Sequence, residues 1–114
     1  MKRGEIWTVS GGKDYAGKPR PVVIIQDDRF DSTASITIGA LTTNATDAPL
    51  MRLSVSPNEC NGLRSLSYLM VDKVTTVPKS KLGRRLGLLD GADNVRLDRA
   101  ILIFLGLTLG DQAE

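Results

Sequence analysis

Arg20 stands between two prolines, in Lys18-Pro19-Arg20-Pro21, at the head of the apolar run Val22-Val23-Ile24-Ile25. Proline holds its own φ at about −65° and drives the residue before it toward extended geometry, so Lys18 and Arg20 are both biased toward extended backbone. A cation held still at the mouth of a buried strand is well placed to meet a phosphate. The plainer alternative is a solvated arginine at an ordinary loop-to-strand junction, since exposed cations are common. Just ahead, residues 11–18 contain three glycines together with Lys13, Tyr15 and Lys18. Such a loop can fold over a ligand, the lysines meeting phosphates and the tyrosine stacking on a base, or it can simply be solvated. Thr42-Thr43-Asn44 offers two hydroxyls and an amide at the end of a strand. They suit either the capping of a turn or donation to a bound anion. Asp72 interrupts an apolar stretch, where a carboxylate must be paired, with Lys73 or an arginine, or else be perturbed by burial.

The 114 residues are read as one domain, 1–114, large enough for a single core without a staple or a structural metal. Cys60 is the only cysteine and histidine is absent. An intramolecular disulfide and a metal-ligand cluster are therefore out of reach, and we expect no metal, no cofactor and a reducing, cytoplasmic setting. No apolar run approaches the ~20 residues of a membrane span, and the N-terminus lacks the apolar segment of a signal peptide. A soluble protein with no membrane partner is expected. Fifteen Lys and Arg against thirteen Asp and Glu leave a net charge of +2, which permits polyanion binding without demanding it.

These side chains have to be held by a series of short strands. Residues 5–10 alternate Ile6, Thr8 and Ser10 against Trp7 and Val9, a first strand. Residues 22–25 form a second, apolar enough for burial on both faces. An acidic turn region at 26–33 leads to a third strand at 35–41 and a half-buried fourth at 50–55, and Asn61-Gly62 is the sharpest turn signal of the connection that follows. Residues 67–77 make the longest strand candidate, largely apolar on both faces, with Asp72 on one of them. A helical turn at 78–82 and a short final strand at 84–88 come next. The four cations Lys79, Lys81, Arg84 and Arg85 read as a solvated basic face in preference to a second phosphate patch.

Asp90 is the predicted N-cap of a C-terminal helix, with Asp93 three residues on. Leu97, Ala100, Ile101 and Phe104 recur at i, i+3, i+4 and i+7, an apolar face to lie on the sheet, widened by Ile103, Leu105 and Leu107. Gly106 can end the helix, and the tail beyond it is expected to fray. Many short strands followed by one helix predict a mainly β domain, a small antiparallel barrel capped by a C-terminal helix. The strand at 67–77 and the wide helix stripe offer more apolar surface than one small barrel buries. A homodimer is expected beside them.

Gly4-Glu5-Ile6-Trp7, Arg20-Pro21-Val22-Val23-Ile24-Ile25-Gln26, Leu41-Thr42-Thr43, Asn61-Gly62-Leu63, Asp72-Lys73-Val74 and Phe104-Leu105-Gly106-Leu107 follow one another in this order. Together they resemble the MazF/PemK/Kid toxins of bacterial toxin-antitoxin pairs, from about residue 3 to residue 107. The resemblance implies an SH3-like barrel, a homodimer, sequence-selective cleavage of single-stranded RNA without a metal, and inhibition by a cognate antitoxin protein. It matches the family's catalytic arginine to Arg20 and its active-site threonine to Thr42. In the Kid-like branch an aspartate on the fifth strand also takes part, and Asp72 stands there. That branch has a further arginine and a first-loop histidine where this chain has Met70 and, approximately, Asp14. Its acid-base assignment therefore does not carry over intact.

The implied chemistry needs neither a cysteine nor a histidine, because RNA brings its own nucleophile in the 2′-hydroxyl. The protein has to align that oxygen with phosphorus, stabilise charge on the phosphate oxygens and manage two protons. Arg20 can clamp the phosphate bidentately and Thr42 can donate to a developing oxyanion. Arginine stays charged and is a poor base, which leaves Asp72, water or the substrate to accept the proton. Lys13, Tyr15, Lys18 and Thr43 are the expected RNA contacts. Gyrase-poisoning CcdB toxins share the fold but depend on an aromatic-bearing C-terminus, and this chain ends Gly-Asp-Gln-Ala-Glu. A noncatalytic SH3-like binding module would typically display clustered aromatics, and only Trp7, Tyr15, Phe30, Tyr68 and Phe104 are present.

Overall fold

Strand β2 (Arg20–Ile24) runs through the middle of the molecule with both of its faces covered. Side chains alternate across a strand, so β2 feeds two cores. Val22 and Ile24 pack with Val9, Ile36, Ile38 and Ala40, whereas Val23 joins a second cluster around Ile6, Leu41, Leu69 and Leu97. The expected double burial of this run is thus what the computed structural model shows. It describes residues 1–10, 19–48 and 50–107. Lys13, Tyr15 and Lys18, and the tail beyond residue 107, lie outside the described residues.

Around β2 stand β1 (Glu5–Val9), β3 (Ser35–Thr42), β4 (Arg52–Val55), β5 (Ser67–Met70), β6 (Thr75–Pro78), β7 (Leu82–Leu88) and the helix α1 (Gly91–Leu105). The strands form one antiparallel sheet in the order β4-β5-β3-β2-β1-β7, with β6 also paired to β3. The architecture is the expected small β domain with a C-terminal helix. The sheet stays open, β4 and β7 being its ends, and is barrel-like rather than a closed ring.

The single long strand expected at 67–77 is two strands. A 3-10 turn at Val71–Lys73 separates β5 from β6, and both halves pair with β3. Leu69 faces Leu41 and Thr75 faces Ile38, so the register advances by three residues between the two ladders. The turn absorbs those residues. Asp72 accordingly sits on this turn and not on an apolar strand face, which corrects its expected setting.

Helix α1 starts at the predicted cap, where the Asp90 carboxylate accepts from the Asp93 N–H at 2.8 Å. It ends at Gly106, beyond which the Leu107 N–H reaches the Leu102 carbonyl at 2.9 Å. Leu97 is buried, and Ala100 and Ile101 pack on the second core. Phe104 is a correction. The helix rests on β4 and the 71–73 turn, so its last turn overhangs the core and leaves Phe104 exposed beside Ile103, Leu105 and Leu107.

Candidate functional site

Register brings two of the sequence-predicted residues together. Val22 of β2 faces Ala40 of β3 and Ile24 faces Ile38; continuing that ladder two residues toward the strand ends sets Arg20 across from Thr42. Cross-strand partners share a sheet face and bring their Cβ atoms to about 4.5–5.5 Å. Thr42 in turn faces Tyr68 of β5, and Arg20 faces Val9 of β1. One row of side chains therefore crosses four strands, with Arg20 and Thr42 adjacent in it where β2 begins and β3 ends. Both are half-buried. The Thr42 hydroxyl oxygen accepts from the Asn44 N–H at 3.2 Å. It caps the turn and keeps its own O–H proton for another acceptor, so capping and anion donation are compatible at this side chain.

Asp72 approaches this face from the turn after β5. Its carboxylate is held by the Arg52 guanidinium in an ion pair. Arg52 faces Met70 in the β4–β5 ladder, two residues along from Ser54, which faces Tyr68. The alternation of β4 thus puts Arg52 on the face that carries Thr42 and Arg20. The expectation that Asp72 is paired holds, with an arginine twenty residues away in sequence as the partner. Nothing in the sequence singled out Arg52, because its position opposite Met70 depends on a register that sequence alone does not reveal.

On the other side of the strand ends opens a cleft of about 700 Å³. Pro19 and Pro21, which flank Arg20, line it together with Thr8, Thr43, Arg64, Ser65 and Arg84. Thr42 and Thr43 consequently serve opposite faces of the sheet. One wall is the segment 58–65, fastened by a buried side chain that sequence reading treated only as a turn signal. The Asn61 amide oxygen accepts from the N–H groups of Asn58 and Leu63 at 3.2 and 3.0 Å, and its NH₂ donates to the Ser56 carbonyl at 2.8 Å. Gly62 adopts φ +69°, and a Cβ there would lie 2.2 Å from the Leu86 carbonyl oxygen. Only glycine fits this close approach of the loop to β7.

The four cations at 79–85 do not form one patch. Lys79 pairs with Asp31 at 3.0 Å, Lys81 borders a second cleft of about 520 Å³ near Val9 and Met70, Arg84 lines the larger cleft, and Arg85 pairs with Glu5 at 3.1 Å. Glu5 is drawn into this arrangement from three sides. Burial by itself would raise its pKa, but hydrogen bonds from the Lys2 N–H, the Trp7 indole and Arg85 outweigh it and leave the pKa lowered. A hydrogen bond from Lys79 is the main reason that the Asp31 pKa is lowered too. Among the described residues no three His, Cys, Asp or Glu side chains gather into a set that could hold a metal ion. Nor is any helix among them long and apolar enough to cross a membrane.

Residues 2–105 match the family described as the PemK-like, MazF-like toxin of type II toxin-antitoxin systems. A protein of Mycolicibacterium smegmatis named "Probable endoribonuclease MazF" is 56% identical over 107 residues, covering 94% of this chain and 98% of its own length. Among solved structures, the Mycobacterium tuberculosis toxin MazF-mt6 superposes with a TM-score of 0.78 at 25% identity, covering 92% of this chain and 99% of that one. A mycobacterial endoribonuclease in complex with its cognate antitoxin gives a TM-score of 0.75 at 24% identity, covering 96% of each chain, a likeness of fold.

Proposed function

This chain belongs to the PemK-like, MazF-like toxins of type II toxin-antitoxin systems, and from that premise we propose that it is an endoribonuclease that cuts single-stranded RNA by attack of the substrate's own 2′-hydroxyl. The observation that carries the reading is the register that sets Arg20 across from Thr42 on one face at the strand ends. A guanidinium and a hydroxyl so placed can grip one phosphate from two directions. Arg20 contributes the planar fork and lasting charge that suit a phosphate diester. Thr42 donates its remaining O–H proton to an oxygen that gains charge in the transition state.

In this mechanism the 2′-hydroxyl loses its proton as its oxygen bonds to phosphorus, and the 5′-oxygen leaves and takes up a proton. The products are a 2′,3′-cyclic phosphate and a 5′-hydroxyl end. Asp72, held on the same side by Arg52, is assigned the proton from the 2′-hydroxyl, and water supplies the proton to the leaving oxygen. Lys13, Tyr15, Lys18 and Thr43 are assigned to hold the RNA. The substrate's own 2′-hydroxyl as nucleophile allows the chemistry to run without a metal. The protein acts in the cytoplasm, is inhibited by a cognate antitoxin, and forms a homodimer through the exposed apolar end of α1, where Ile103, Phe104 and Leu105 offer a self-complementary contact.

Incubation with mixed RNA in EDTA, followed by mapping of the cut ends, tests the reading. Cyclic-phosphate and 5′-hydroxyl ends are expected. Arg20→Ala should cut on the order of 10²-fold more slowly or worse, the cost of losing a transition-state donor, and Arg20→Lys should fail substantially for want of the fork. A strict Mg²⁺ requirement, 5′-phosphate ends, or Arg20 variants as active as the parent would overturn it.

A further inference from the structure

Arg84 is aimed by a defect in the sheet. The β1–β7 ladder pairs Trp7 with Arg85 but Val9 with Leu82, so β7 carries an extra residue at Gly83–Arg84. Such bulges bend a strand and redirect its side chains. The Thr8 hydroxyl locks this one by accepting from the Arg84 N–H at 3.0 Å, and a Cβ on Gly83 would lie 2.4 Å from the same hydroxyl oxygen. Thr8 and Arg84 both line the 700 Å³ cleft.

Arg64 lines that cleft too, on the segment fixed by Asn61 and by the left-handed Gly62. Two arginines are thus presented on fastened backbone around a space to which Thr8, Thr43, Ser65, Pro19 and Pro21 also contribute and that no carboxylate lines among the described residues. Neither has an ion pair among the described residues, whereas Arg3, Arg29, Arg52, Arg85 and Arg96 all do. Both arginines are solvent-exposed at the cleft, so an anion entering it can reach either guanidinium. The rim of the cleft is made by Pro19, Pro21 and Thr43, the immediate chain neighbours of Arg20 and Thr42.

We infer that this cleft is a second phosphate-binding site for the same RNA, in which Arg64 and Arg84 take backbone phosphates flanking the bond that Arg20 and Thr42 address. The inference rests on the ribonuclease reading. The strand crosses the rim of the sheet at Thr42-Thr43, with the reacting phosphate on one face and its neighbours on the other. Arginine forks are the groups for that task, since they grip phosphate without reading sequence.

The test measures equilibrium binding of a fluorescent, mixed-sequence 2′-O-methyl RNA 20-mer, which lacks the nucleophile and reports binding whether or not the protein cuts. Each lost phosphate contact to a single strand lowers the salt slope of log K by about 0.7. The double variant Arg64→Gln/Arg84→Gln should therefore lose about 1.4 of slope, so that between about 50 and 200 mM salt the parent's Kd rises about sevenfold more than the variant's. Arg85→Gln, which touches the Glu5 pair outside the cleft, should keep the parent slope. Thermal unfolding of each variant monitors the fold. An unchanged slope in the folded double variant overturns the second site, and if Arg20→Ala still abolishes cleavage the ribonuclease reading survives. Weakened binding of an acidic peptide with unchanged RNA binding would assign the cleft to a protein partner and also overturn it. A parent protein that binds no RNA would instead sink the reading beneath it.

Discussion

Asn61→Ala should cost the domain about 3 kcal/mol and loosen one wall of the larger cleft. The side chain is fully buried, and its three hydrogen bonds go to the Asn58 and Leu63 N–H groups and the Ser56 carbonyl. Each bond contributes about 1 kcal/mol net, and a buried group left without a partner costs about 1–3 kcal/mol, so three losses give about 3 kcal/mol as the lower figure. The loop has little room to recover them by shifting. The Cys60 carbonyl is already bound by the Leu88 N–H at 2.9 Å, and the Asn58 amide oxygen is shared between the Cys60 and Asn61 N–H groups. Against a typical domain stability of about 5–15 kcal/mol this is a large fraction. Urea unfolding of parent and variant reads it directly. With an m-value of about 1–2 kcal/mol/M, the midpoint should fall by about 1.5–3 M. Asn61→Asp should be at least as damaging at neutral pH, because it places a carboxylate oxygen against the Ser56 carbonyl. A loss below about 1 kcal/mol for the alanine variant, with m unchanged, would refute the idea that these bonds fasten the 58–65 segment.

Asp72→Asn should slow cleavage of saturating RNA by about 10²-fold, within the usual contribution of a general base. A variant that keeps the parent rate removes Asp72 from the chemistry. Acid should weaken the fold through Glu5, Asp27 and Asp31, whose pKa values all lie below the ordinary 4.5 and 3.8. A lowered carboxylate pKa stabilises the folded state fully above the unfolded value and loses that contribution as pH falls through the folded one, so urea midpoints should be level from pH 6 to 8 and fall below about pH 4.5. Glu5→Gln should shrink the fall, and a midpoint indifferent to acid would contradict the assignment. Sedimentation at micromolar concentration should give a dimer, and Phe104→Asp should dissociate it; a fully active species at 12.3 kDa would sink the two-fold contact.

What the sequence revealed divides along physical lines. Local signals carried the helix: the Asp90 cap, the Leu97-Ala100-Ile101 stripe and the Gly106 stop each act within a turn or two of chain. Composition carried the burial of β2 on both faces, since four β-branched residues in a row leave no polar side for water. The break at Val71–Lys73 was hidden because its cause is remote. Only when residues 67–78 are laid along β3 does the three-residue advance between the two ladders require a turn. The Asp72 partner was hidden for the same reason, and so was the isolation of Arg84 from Lys79, Lys81 and Arg85, which follows from strand pairing and a bulge.

The same alternation that buries β2 on both faces also decides how a site can be made at its end. Beyond Val22 the alternation continues into Pro21, Arg20 and Pro19, which leave the fully buried core, so consecutive residues become the linings of opposite surfaces. Proline at 19 and 21 keeps the backbone extended there and the alternation intact. Arg20 is thereby committed to the face of Thr42, while its neighbours are committed to the cleft with Thr43. A strand buried on one face would offer its ligand one surface and leave the other to water. Here the strand ends form a rim between two surfaces, and under the proposal above a ligand long enough to cross it would meet Arg20 and Thr42 on one side and Arg64 and Arg84 on the other. Under that proposal the two surfaces are best served by a chain with a phosphate at every residue, which favours a polynucleotide over a small phosphate ester.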